Sequence, residues 1–129
     1  MPELQFAEGV LARLHAQGES RFDERAYLFV LSGIEFLQSR LDKRRHVTGQ
    51  ELAWACRDHA LERFGLLSRT VLEHWGVRET ADFGRIVFAL VGIGLLSTQP
   101  GDRLEDFEGV YEFERAFEAH YTIAWRQDG

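Results

Sequence analysis

The sequence predicts a mainly α-helical chain of five or six helices, carrying a small β-hairpin near residues 95 to 113. Three observations support that fold class. Apolar residues recur at helical spacing along most of the chain, and glycines punctuate the runs. The tetrapeptide TGQE, Thr48 to Glu51, has the form of a capping box. Further on, Pro100-Gly101 supplies the two central residues of a type II turn between short apolar stretches.

The first helix is expected over residues 3 to 17. Ala7, Val10, Leu11 and Leu14 fall at i, i+3, i+4 and i+7, and Gly18 is placed to stop it. The second is expected over 23 to 43, with Asp23 favouring its start. Tyr27, Val30, Leu31, Ile34, Leu37 and Leu41 form its main stripe. Leu28, Phe29 and Phe36 lie off it, so the helix is apolar nearly all round and should be contacted from several sides. The cations of RLDKRR, residues 40 to 45, would close it where the helix dipole favours positive charge.

The capping box opens the third helix, in which Leu52, Cys56, Ala60 and Phe64 follow at intervals of four before Gly65. A short fourth helix is expected over 66 to 75, with Leu67, Val71 and Trp75 on one face and Gly76 ending it. The fifth starts near Thr80 as cap, with Asp82 in its first turn. Phe83, Ile86, Val87 and Leu90 share a face, and Gly94 with Leu95 suggests a Schellman ending.

Beyond that point Leu95 to Thr98 reads as a short strand and Tyr111 to Phe113 as its return. A last helix follows at about 114 to 121. Phe113, Phe117 and Tyr121 are spaced by four, so the same stretch also suits a helix from the start. Tyr121, Ile123 and Trp125 alternate like an extended tail. A helix-turn-helix followed by a hairpin makes residues 66 to 113 winged-helix-like. With 129 residues and no linker or repeat, a single domain over 1–129 is expected.

The strings HVTGQEL, ALERFGLLSRTVLEHWGVRETADFGRIVFALVGIGLL and DRLEDFEGVYEFERAF resemble an uncharacterised bacterial family sometimes called the Minf family. The resemblance covers roughly residues 6 to 117. It rests on His46 to Leu52, Phe64-Gly65, Trp75-Gly76, Asp82-Phe83-Gly84 and Asp106-Phe107. It implies a small stand-alone protein and carries no catalytic or binding residue with it.

Charge weighs against a groove-reading role. The net charge is −6, and residues 81 to 129 hold four Arg against nine Asp and Glu. The expected wing carries Asp102, Glu105, Asp106 and Glu108, the wrong sign for phosphates. Arg40, Lys43, Arg44 and Arg45, with His46 beside them, form the possible anion contact. Binding through them would weaken steeply with salt.

Cys56 and His59, at i and i+3, could face one metal with His46 or His74, or pair as nucleophile and base. Neither chemistry has its remaining parts: a second close ligand pair is missing, and so is a Gly-rich turn before the thiol. Cys56 also lies on the apolar stripe. The DFG string, Asp82 to Gly84, lacks every other kinase element. No cofactor motif is present, and none is expected to bind. One cysteine and no positively charged leader suggest a cytoplasmic protein. The longest apolar run, 11 residues from Ile86, is short of the roughly 20 that a membrane span needs.

Trp75, Phe107, Tyr111 and Trp125 are the candidate protein-contact residues, because aromatics in a short acidic hairpin or tail often mark such surfaces. The functional expectation is therefore a non-enzymatic protein-interaction module, with a protein partner or self-association. A nucleic-acid-associated regulator is the alternative, and a small enzyme or metal protein on Cys56 and His59 a second.

Overall fold

Caps set the boundaries of the helices. A computed structural model describes residues 2–18 and 21–118, so Tyr121, Ile123 and Trp125 lie outside the described residues. Among the described residues the chain forms α1 (Pro2–Ala16), α2 (Glu24–Ser39), α3 (Gly49–Phe64), α4 (Ser68–His74) and α5 (Thr80–Gly92). Short 3-10 turns occupy Gly65–Leu67 and Leu104–Phe107, and the chain is helical again over 113–118. Among the described residues none is in a strand. No helix among them is long and apolar enough to cross a membrane.

The expected stops hold at several ends. Asp23 caps α2 by accepting the Arg25 N–H at 2.9 Å. The Thr48–Glu51 box is complete: the Thr48 hydroxyl accepts the Glu51 N–H at 3.1 Å, and the Glu51 carboxylate accepts the Thr48 N–H at 2.9 Å. The α5 end is a Schellman motif, with Gly94 at φ 84°. Its Leu95 N–H returns to the Leu90 carbonyl and its Gly94 N–H to Val91. From α1, the Gln17 side-chain amide donates to the Gly92 carbonyl and the Arg13 guanidinium to that of Ile93. The four carbonyls 90 to 93, which helix geometry leaves without partners, therefore all have donors.

Three expectations need correction. First, α2 ends at Ser39 rather than 43, and only Arg40 of the basic cluster sits at the helix end. The Gln38 side chain pulls the following loop back, donating to the Arg45 carbonyl at 2.7 Å and accepting the Arg45 N–H at 3.2 Å. Second, the 3-10 turn shifts the register of α4. Leu67 is left exposed, and Ser68, Leu72 and Trp75 face inward. The buried Ser68 hydroxyl is satisfied by the Gly65 carbonyl at 2.7 Å.

The third correction removes the hairpin and with it the winged-helix-like arrangement. The Pro100-Gly101 turn itself forms: Asp102 N–H reaches the Gln99 carbonyl at 3.0 Å, and Gly101 has φ 97°. The flanking residues do not pair as strands. Instead, Phe107 is drawn into the body of the molecule and is 4% exposed. Its backbone is fixed by Thr80, whose buried hydroxyl donates to the Phe107 carbonyl at 2.6 Å and accepts the Val110 N–H at 3.2 Å. Thr80 therefore does not cap α5. Glu79 occupies the cap position, while Asp82 accepts the N–H groups of Arg78 and Glu79. Phe113, Ala116 and Phe117 are buried together, so the spacing by four describes this stretch and the alternation does not.

One hydrophobic cluster joins these parts. Val10 and Leu14 of α1, Tyr27, Phe29 and Val30 of α2, Leu52 and Cys56 of α3, Leu72 of α4, and Phe83, Ile86 and Leu90 of α5 all belong to it. Phe107 enters where α3 and α5 each present a glycine. A Cβ on Gly84 would lie 2.7 to 2.9 Å from Phe107 atoms, and one on Gly49 2.9 Å from Asp106 and 3.0 Å from the Phe107 ring. Side chains at these two positions would evict the ring.

Gly84→Ala should therefore destabilise the protein by about 1–3 kcal/mol through overpacking, although alanine is the better helix former. Gly9→Ala is the control: it has nothing within 4 Å and should be neutral or slightly stabilising. Urea unfolding of the two variants checks both expectations.

Candidate functional site

A cleft opens where the end of α2, the start of α3, α5 and the loop after α5 converge. Its volume is about 180 Å³. Ile34, Leu52, Val87, Phe88 and Leu96 give it an apolar lining, and side chains from two loops give it a polar edge. The first loop, residues 45 to 48, is held by the Gln38 bonds to Arg45 and by the capping box. The second, residues 96 to 107, is anchored by Phe107 between the two glycines. His46 Nε2 meets Asp102 at 3.0 Å and ties the two loops together.

The charges on this edge are mostly engaged within the chain. Arg45 pairs with Glu51 at 2.7 Å. That ion pair and the Thr48 N–H hold the Glu51 carboxyl down at about 2. Asp102 accepts the Gln99 N–H at 2.7 Å. This bond first, and His46 after it, keeps its carboxyl below the usual range. Asp106 accepts the Arg103 N–H at 3.0 Å. Among the described residues Arg103 forms no ion pair, its side chain lying against the Asp106 backbone N–H, and the hydroxyls of Ser97 and Thr98, on the same loop, make no hydrogen bond. The cleft is thus an apolar recess with a polar edge, on which the Asp102 and Asp106 carboxylates accept backbone N–H groups and keep their negative charge.

The basic cluster is partly neutralised. Arg40 lies 3.5 Å from Asp58 and 3.9 Å from Glu62, and stacks over the Phe36 ring. Arg44 pairs with Glu35 at 3.1 Å. Lys43 has no ion pair among the described residues. Only Arg45 and His46 reach the cleft, and both arrive with an acid attached.

Of the aromatic candidates, Trp75 is 8% exposed, packing against Phe29 and Phe64. Phe107 is buried as described. Tyr111 lies partly buried against α3, where its hydroxyl donates to the Ala53 carbonyl at 2.7 Å, and burial pushes its pKa well up. Trp125 is outside the described residues. Among the residues whose burial is described, the aromatic left most open is Trp54, 40% exposed, between Tyr111 and Arg57. The sequence reading did not single it out.

Cys56 and His59 do not form a pair. The thiol is fully buried against Gly33, and burial raises its pKa far above the ordinary value. A thiol held protonated is a poor nucleophile. His59 is stacked between Phe29 and Phe36, with ring centroids 5.1 and 4.8 Å away. Its Nε2 lies 2.9 Å from the Ser32 hydroxyl, whose proton already goes to the Phe29 carbonyl at 2.7 Å. Whichever ring nitrogen carries the proton, Nδ1 is buried and has no hydrogen-bond partner. Burial lowers the pKa of this histidine, and Arg63 adds to the effect. Among the described residues no three His, Cys, Asp or Glu side chains gather as metal ligands.

The lining residues Val87, Phe88, Leu96, Ser97, Thr98 and Arg103 were not singled out as a site in the sequence. Val87 signalled only a helix face, and the others lay in the stretch read as helix and hairpin. No protein-family model, curated protein or solved structure matches this chain. The functional reading therefore rests on geometry.

Two measurements check the interior chemistry. Cys56 should resist alkylation in the native protein near neutral pH and react on unfolding; rapid native labelling would contradict the burial argument. His59→Phe keeps the ring stack and removes the orphaned nitrogen, so at alkaline pH its stability should match wild type within about 1 kcal/mol. On acidification below about 6.5, the unfolded chain gains a proton that the folded site resists. Wild type should then lose stability relative to the variant, as read by urea unfolding at stepped pH.

Proposed function

We propose that this chain is a non-enzymatic protein-interaction module whose cleft receives an anchor side chain from a partner. The observation that carries this reading is the cleft itself: an apolar recess with a polar edge, lined by four separate segments. Its volume of about 180 Å³ falls below the roughly 300–1,000 Å³ of sites that enclose drug-sized ligands or cofactors. One leucine- or phenylalanine-sized group is a better match. Binding energy at protein interfaces concentrates in such anchored residues.

The competing readings have less support. The nucleic-acid alternative relied on five basic side chains, and four of those have acidic partners. The enzyme alternative relied on a thiol that is buried and protonated.

The test uses the full chain, isotopically labelled, titrated with pools of end-capped peptides that fix a central Leu, Ile or Phe. The apolar pools should shift amide signals at Leu52, Val87 and Leu96, and a matched pool with central Ser should not. Ser97→Trp, a change at an exposed rim position, should abolish the response by closing the mouth. Shifts confined to another face, or an unchanged response in Ser97→Trp, would overturn the reading.

A further inference from the structure

The two loops that edge the cleft differ in how their charges are compensated. On the first, Arg45 is paired with Glu51, and the neighbouring Arg44 and Arg40 with Glu35 and Asp58. On the second, Asp102, Glu105, Asp106 and Glu108 stand against one base, Arg103. Asp102 and Asp106 line the recess. Each accepts a backbone N–H, from Gln99 at 2.7 Å and from Arg103 at 3.0 Å. An amide donor holds a carboxylate in its charged form and does not cancel the charge. His46 lies against Asp102 and adds positive charge only when protonated. Glu105 and Glu108 are exposed, and among the described residues neither forms an ion pair.

We infer that the cleft selects a basic segment of a partner protein, one with an apolar anchor side chain and lysine or arginine close to it in sequence. This inference rests on the anchor reading above. The apolar lining and the acidic loop are contiguous, because Leu96, Asp102 and Asp106 line one recess. A segment whose apolar residue enters that recess lays its neighbours along the loop. Lysine and arginine suit this position, since their methylene stems cover apolar surface while the charged head stays in water. There the head meets the carboxylates. An acidic neighbour would bring like charges together, which costs affinity and rejects wrong partners. Arg103 subtracts one charge from the loop and leaves its sign unchanged.

The test titrates the isotopically labelled full chain with three peptide pools that share a central Leu and differ in its flanks, Lys, Gln or Glu. The Lys-flanked pool should bind about tenfold more tightly than the Glu-flanked pool at an ionic strength of about 0.02 M. The ratio should shrink to about twofold at about 0.5 M, where exposed charges are screened. Glu105→Lys combined with Glu108→Lys should abolish the preference. Both side chains are exposed, so thermal unfolding should match wild type. Glu62→Lys combined with Glu114→Lys makes the same change of net charge at residues that do not line the cleft, and should keep most of the preference. Equal binding of the three pools overturns the inference while leaving the anchor reading intact. So does a preference that survives the changes at positions 105 and 108, or one lost equally in the control. If no pool shifts the amides of Leu52, Val87 and Leu96, the inference and the anchor reading fail together.

Discussion

The seating of Phe107 between two glycines is the constraint on which the rest of the structure depends. Gly84 on α5 and Gly49 at the start of α3 leave a notch that the ring fills. Burying one phenylalanine side chain contributes roughly 1.5–3 kcal/mol. Its structural effect is larger than that figure, because it fixes a loop that has no helical ladder beyond one 3-10 turn. Thr80 completes the anchor from below, since its hydroxyl satisfies two backbone groups of that loop. With the loop placed, Leu96, Ser97 and Arg103 come to face Leu52 and Val87 across the cleft.

Polar interactions here mostly order the chain ends of helices and add little net energy individually. The exposed ion pairs around Arg40, Arg44 and Arg45 are screened by solvent and contribute little individually. They join three cations of residues 40 to 45 to acids on α2 and α3. The interior follows a similar economy: a thiol and an imidazole that could serve chemistry elsewhere are packed as a small hydrophobe and a flat ring.

Sequence reasoning recovers features whose cause is local. The Thr48 box, the Gly76 and Gly94 endings and the Pro100-Gly101 turn depend on a few consecutive residues, and each forms. It fails where a distant residue decides. Nothing near Ser39 announces that Gln38 will capture Arg45 and end α2 early. The alternation of Tyr111 and Phe113 imitates a strand because only later packing shows that Ala116 and Phe117 share the buried face. Gly49 and Gly84 looked like unremarkable helix residues. A glycine inside a helix costs about 1 kcal/mol relative to alanine, and that cost was the available hint that another group approaches closely. The cleft was illegible for the same reason, being assembled from residues as far apart in the chain as Ile34 and Phe107.

The arrangement also bears on synthesis from the ribosome. Residues 49 and 84 wait for residue 107, and the carbonyls that Arg13 and Gln17 satisfy are not made until residue 93. Neither the leading helix nor the α3–α5 crossing can reach its final partners while the chain is still emerging. Until residue 107 has been made, the notch between Gly49 and Gly84 has no ring to fill it.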